Sequence, residues 1–165
     1  MNWLSKEQKL GVRGEEWVMA QLVSRGYHGE YYNDFFEEQR DIKINGCLPC
    51  EVKTSRQSIC HRKTSSGNVK QYPSWRWNVS PVTSKDSVLI LLAIDNRGLH
   101  HPFIMPSNVM AHRCYVQLTK HPLKCKTYYD KYLNYWQTID YLLNRLYEDS
   151  GCINIFEAFG MEVTA

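Results

Sequence analysis

Three side chains capable of joint chemistry fall within one short stretch, RDIKINGCLPCEVKTS, running from Arg40 to Ser55. They are Asp41, then Glu51 after nine intervening residues, then Lys53 two positions on. Two carboxylates at close quarters repel unless they are protonated or bridged by a cation. A hard divalent ion such as magnesium relieves that repulsion, because it takes oxygen ligands and keeps several waters. A lysine beside it holds a water and an anionic substrate, which is equipment for metal-assisted phosphodiester hydrolysis. The same three residues also suit an exposed sheet face with a cross-strand ion pair, an arrangement worth little to stability.

The elements that carry them decide between these two uses. The stretch reads as two strands around Asn45-Gly46. Residues two apart in a strand share a face, so Glu51 and Lys53 lie together, with Cys50 and Val52 opposite. A two-residue loop pairs Ile44 with Cys47 and sets Asp41 against Cys50, mixing polar and apolar residues on both faces. An odd loop, of three residues ending in a left-handed Gly46, separates them. Ile42, Leu48, Cys50 and Val52 then form one face, and Asp41, Glu51 and Lys53 gather on the other. A one-residue slip turns every side chain over, so burial selects the second register. Pro49 has no N–H for the ladder and predicts an edge or a bulge.

Upstream, GEEWVMAQLVSRG (Gly14 to Gly26) has Val18, Met19, Leu22 and Val23 at helical spacing, with Gly26 as a stop. Glu15 shares the face of Val18, Met19 and Leu22 and is expected to point at the sheet. Glu15 and Glu16 also suit the first turn of a helix, where the dipole favours acids.

With these residues in place, Asp41 followed by Glu51-Val52-Lys53 resembles the core of the PD-(D/E)XK nuclease superfamily. GVRGEEW resembles the glycine turn and helix that supply a further glutamate in archaeal-type Holliday junction resolvases and some small homing endonucleases. The resemblance covers about residues 10 to 95, and Arg40 stands where the superfamily commonly has proline. It implies an α/β fold, a restriction-endonuclease-like mixed β-sheet core flanked by an N-terminal helix and a long C-terminal helix. It implies Glu15, Asp41 and Glu51 as ligands for Mg2+ (or Mn2+), and Lys53 as the residue that positions the attacking water. DNA is the implied partner and endonucleolytic hydrolysis the implied activity. Junction resolvases and small homing nucleases are the nearest likeness, with restriction-type and anti-phage nucleases also open. The alternative is a non-catalytic nucleic-acid-binding module on the same fold.

Composition agrees with one globular domain over residues 1–165, at 43% hydrophobic and 22% charged. The net charge is only +3, so its placement matters more than its sum. Thr54 to Ser80 holds Arg56, Arg62, Lys63, Lys70 and Arg76 without a single Asp or Glu, which suits a phosphate backbone. Tyr72, Trp75 and Trp77 in the same segment are candidates for stacking on bases, or for core. Its first part, Thr54 to Ser74, reads as a loop with a short helical piece, and WRWNVS as a half-buried strand. Gln57 and Gln71 are candidates to assist, though no motif selects either.

SVLILLAID reads as a central strand, PFIMP as a short strand and EYYNDFF as a strand and loop. Thr127 to Asp149 reads as the longest helix, with Tyr132, Trp136, Ile139, Leu143 and Leu146 on one face. The helix is read as packing and also as the candidate contact for a homo-oligomer, dimer or tetramer, because one active site cuts one strand. Cys47, Cys50, Cys60 and His61 suggest zinc, but strand residues three apart face opposite ways. His112, Cys114, His121 and Cys125 have no clean ligand spacing. The start carries no apolar run of signal length and VLILLAI is too short to span a bilayer, so a cytoplasmic setting with free thiols is expected.

Overall fold

The computed structural model describes residues 4–32, 41–79, 86–124 and 126–150. Arg40, Cys125, Cys152 and the last four residues of EYYNDFF lie outside the described residues. The first element is helix α1 (Lys6–Ser24). Ser5 accepts from the Gln8 N–H, and the Gln8 side chain accepts from the Ser5 N–H. This capping box satisfies two otherwise unpaired donors. It starts the helix ahead of Gly14, because the first turns are largely exposed and need no apolar stripe. Val18 and Leu22 are fully buried, whereas Val23, expected in the same stripe, points out at 61% exposure.

Eight strands follow: β1 (Gly29–Tyr31), β2 (Ile42–Ile44), β3 (Leu48–Arg56), β4 (Ser58–Lys63), β5 (Val69–Asn78), β6 (Val88–Ile94), β7 (His100–Pro106) and β8 (Tyr115–Leu118). Helix α2 (Gln137–Asp149) closes the described fold. The main sheet runs β1-β2-β3-β6-β7, and the second runs β4-β5-β8. Only the β3–β6 pairing is parallel, so the main sheet is mixed.

Strand β6 is buried along its whole length, and alternation divides it between two cores. Val88 and Ile90 face the helices, packing with Val18, Leu22, Ile139 and Leu143. Leu89, Leu91 and Ala93 face the second sheet, packing with Trp75, Trp77, Val116 and Leu118. Both tryptophans are therefore core and unavailable to stack on bases. Their indole N–H groups donate to the Ile94 and Leu92 carbonyls, at 2.9 and 3.3 Å, as buried indoles require.

Three local expectations need correction. The hairpin loop has three residues, but they are Asn45, Gly46 and Cys47, because Ile44 pairs with Leu48. Asn45 and Gly46 both take positive φ, 49° and 69°, and Asn and Gly are the residues that tolerate it. The face separation is the same, since the parity is the same. Second, Thr54 to Ser74 is not a loop. It finishes β3 and then forms a two-stranded ribbon, β4 against the first half of β5, turning at residues 64–68. Third, α2 begins at Gln137 rather than Thr127. Leu133 instead bridges Phe103 beside β7, and Asn134, at φ 54°, donates to the Pro102 carbonyl at 2.8 Å. Edge pairing thus outweighs the helical spacing there. Trp136, Ile139 and Leu143 do keep the expected buried face.

Candidate active site

The register of β3 sets the site. β2 pairs with β3 only as far as Ile42 opposite Cys50. Past that point the β2 edge of β3 is taken over by a side chain: Asp41 Oδ2 accepts from the Val52 N–H at 2.6 Å. On the other edge Glu51 lies beside Leu89 of β6 and Lys53 beside Leu91, so both side chains take the second-sheet face. Cys50, Val52 and Thr54 take the helix face, where α1 crosses β3. That crossing is close. Gly14 is buried, and a Cβ there would stand 1.8 Å from Thr54 Oγ1. Glycine lets the helix sit down on the strand. The next residue, Glu15, is half-buried, and its carboxylate feels the charges of Asp41 and Lys53.

Electrostatics make this a costly place for acids. Glu51 is only 4% exposed. Its Oε1 lies 2.8 Å from the Lys53 ammonium, and no backbone or other side-chain donor reaches this fully buried oxygen. Burial raises the Glu51 pKa; Lys53 draws it back, and Asp41 pushes it up again. Burial likewise raises Asp41, against the Val52 hydrogen bond and Lys53. Glu15 is raised by burial first and then by Asp41. Three carboxylates are thus held above their ordinary range around a single, one-third exposed ammonium. A solvated ion pair does not describe a glutamate this deeply buried.

Glu15, Asp41 and Glu51 are electrostatically coupled, but they do not draw three ligand oxygens to the spacing of one ion. Among the described residues, the group that does so is Asp95, His101 and His121, with ligand atoms within 4.8 Å of one another. No sequence spacing announces it, since its members come from the end of β6, from β7 and from beyond β8. The suspected zinc ligands are not assembled: Cys50 is buried in the helix-side core, Cys47 is exposed in the turn, and Cys60 and His61 lie on the ribbon. Gln57 Oε1 accepts from the Asn96 N–H at 3.2 Å, and Gln71 stands on the ribbon opposite His61, so neither belongs to the cluster.

The basic residues fall on two surfaces. Arg62, Lys63 and Lys70 are exposed on the ribbon, and Arg62 is directly opposite Lys70. Like charges placed so are unfavourable in a bare ribbon. Arg76 is exposed further down β5, with its guanidinium 4.9 Å from the Tyr115 ring centre. Arg56, at the end of β3, lines a pocket with Lys6, Lys9 and Arg13 of α1. Sequence reasoning missed those three α1 residues. The signal was their spacing of three and four along a capped helix.

No family model matches the chain, and no curated protein matches it in sequence. Among solved structures it is similar to a bacterial homing endonuclease, I-Ssp6803I, at 14% identity and a TM-score of 0.61. The match spans 90% of this chain and 99% of that one. At that identity the likeness is one of fold: the chain has the mixed α/β architecture of a homing endonuclease, with its two sheets and both helices.

Proposed function

We propose that the protein is a divalent-metal-dependent DNA endonuclease of the homing type, with the centre at Glu15, Asp41, Glu51 and Lys53. The observation that carries this is Glu51: a carboxylate only 4% exposed, whose buried oxygen has the single Lys53 ammonium as its partner, with Asp41 close enough to raise its pKa. It sits within a fold shared with a homing endonuclease. The chemistry of these residues suits a hard cation, because three carboxylates raised by burial around one ammonium are short of positive charge, which a cation would supply. Asp41, Glu51 and Glu15 would hold Mg2+ or Mn2+, with Glu15 free to act through a water. When bound, such an ion supplies Lewis-acid polarisation of the phosphate and a water of lowered pKa. Lys53 orients that water and stabilises the charge that grows on the phosphoryl oxygens. The second sheet, packed on the face that carries Glu51, excludes bulk water there, which strengthens these charge interactions.

The ribbon residues Arg62, Lys63 and Lys70, with Arg56 and Arg76, contact the phosphate backbone, and Lys6, Lys9 and Arg13 extend that path along α1. Two or four copies act together, since one centre cuts one strand. Exposed Tyr141 and Tyr147 on α2 are a candidate contact between copies. Incubation of supercoiled plasmid with Mg2+ or Mn2+ tests the proposal. The wild-type chain nicks or linearises DNA, and Lys53→Ala slows this by roughly 10²–10³-fold while binding changes little. DNA binding with no cleavage under either ion would identify a binding module on the same fold.

A further inference from the structure

The cluster of Asp95, His101 and His121 is separate from the proposed nuclease centre. Asp95 follows Ile94, which pairs with Arg56, and it is six residues beyond the partner of Glu51 along β6. At ~3.3 Å per residue that is about 20 Å. The turn Asp95–Leu99 orients the carboxylate. Oδ1 accepts from the Arg97 and Leu99 N–H groups at 2.8 and 2.9 Å, and Gly98 takes φ 81° to close the turn. Oδ2 is left to the two imidazoles, 3.2 Å from His101 Nε2 and 3.4 Å from His121 Nε2.

Those distances are long for charge-assisted hydrogen bonds, which run at ~2.7–2.9 Å. The two oxygen–nitrogen separations are close to the edge of a tetrahedron of zinc ligands, where bonds of ~2.0–2.1 Å set ligand atoms about 3.3–3.4 Å apart, and all three ligand atoms lie within 4.8 Å of one another. The rings meet edge to face at 78° with centroids 4.9 Å apart, and both Nε2 atoms approach the same Asp95 oxygen. Asp95 and His101 are each 5% exposed, while the His121 side chain is 30% exposed and offers an entry path. The Trp75 indole meets His121 edge-on at 6.0 Å.

We infer that Asp95 Oδ2, His101 Nε2 and His121 Nε2 form a site for a borderline divalent ion, zinc by preference, with water in the fourth position. Two neutral imidazoles and one carboxylate suit zinc, whereas magnesium prefers an all-oxygen shell. Loading needs both Nε2 lone pairs, so the proton that His101 shares with Asp95 passes to its own Nδ1 or to water, and that of His121 passes to His121 Nδ1. That nitrogen now accepts from the Leu123 N–H at 3.3 Å, a long contact that is given up. The occupied site ties together the ends of β6, β7 and β8 at the root of the ribbon, where Gln57 and Trp75 bond to the same Ile94 carbonyl. It clamps the ribbon, and it does not depend on the nuclease reading.

The test titrates metal-stripped full-length protein with Zn2+ by calorimetry and with Co2+ by absorbance. Wild type and Glu51→Gln, which removes a ligand of the proposed nuclease centre, each keep one tight Zn2+ site of equal affinity and gain several degrees in Tm at saturating Zn2+. His121→Gln, at a partly exposed position that keeps a hydrogen-bond donor, loses at least ~100-fold in affinity with an unchanged circular dichroism spectrum. The Co2+ spectrum lacks thiolate charge-transfer bands. Absence of Zn2+ and Co2+ uptake by wild type overturns the inference and leaves a hydrogen-bond network. Equal uptake by His121→Gln also overturns it and places the ion elsewhere, and a thiolate band overturns it and places the ion on cysteines.

Discussion

Two acids at opposite ends of the β3–β6 pair meet opposite fates. Glu51 and Asp95 are equally inaccessible, at 4% and 5% exposure. Burial alone raises a carboxylate pKa. For Asp95 that rise is more than offset by hydrogen bonds from the Leu99 N–H, His101, the Arg97 N–H and His121, which hold it well below its usual range. Glu51 has the single Lys53 ammonium on its buried oxygen and no backbone donor, so burial keeps it raised. A tight turn supplies donors that a strand interior cannot, because strand N–H groups are spent on the ladder. Asp95 is therefore compensated by the fold, while Glu51 awaits compensation from outside it.

Glu51→Gln is the sharpest way to break this contrast. Cleavage falls by roughly 10²–10³-fold, yet the protein becomes more stable at neutral pH, by a few degrees in Tm. The sign follows from linkage. A carboxylate with a raised folded pKa costs stability as pH climbs from its unfolded value, ~4.3, through the folded value. Thermal melts from pH 4 to 8 should show that loss in wild type and less of it in Glu51→Gln. Asp95→Asn behaves in the opposite sense: its contribution is present above pH ~4 and lost as pH falls, so the variant melts lower at neutral pH. A Glu51→Gln protein that melts below wild type at pH 7 would falsify the account of an uncompensated charge.

Gly14→Ala tests the placement of Glu15. The new methyl meets Thr54 Oγ1 and must push α1 off β3. Overpacking of this kind costs ~1–3 kcal/mol, and cleavage drops with it, whereas Zn2+ uptake at Asp95 is untouched. The smallest effect is expected on the ribbon. Arg62→Ala and Lys70→Ala each weaken DNA binding for every sequence tested. Each also flattens the salt dependence by about one unit of slope. Unchanged slopes would move the DNA path to Lys6, Lys9, Arg13 and Arg56.

Local periodicity settled a good deal of this molecule in advance. The apolar run of β6, the buried stripe around Val18 and Leu22, and the alternation of Trp75 and Trp77 are visible in the chain because each residue's face follows from its position. The same alternation put Asp41, Glu51 and Lys53 on one face, since only an odd hairpin loop keeps Ile42, Cys50 and Val52 together. The ribbon was not legible, because a two-stranded arm with both faces exposed has no burial pattern to impose alternation. Nor was the start of α2, where pairing beside β7 competes with helical spacing. Only the stacking of one sheet on another decided that Glu51 is buried and that Asp95, His101 and His121 meet. Those three lie up to 26 residues apart, and no local rule acts over that distance.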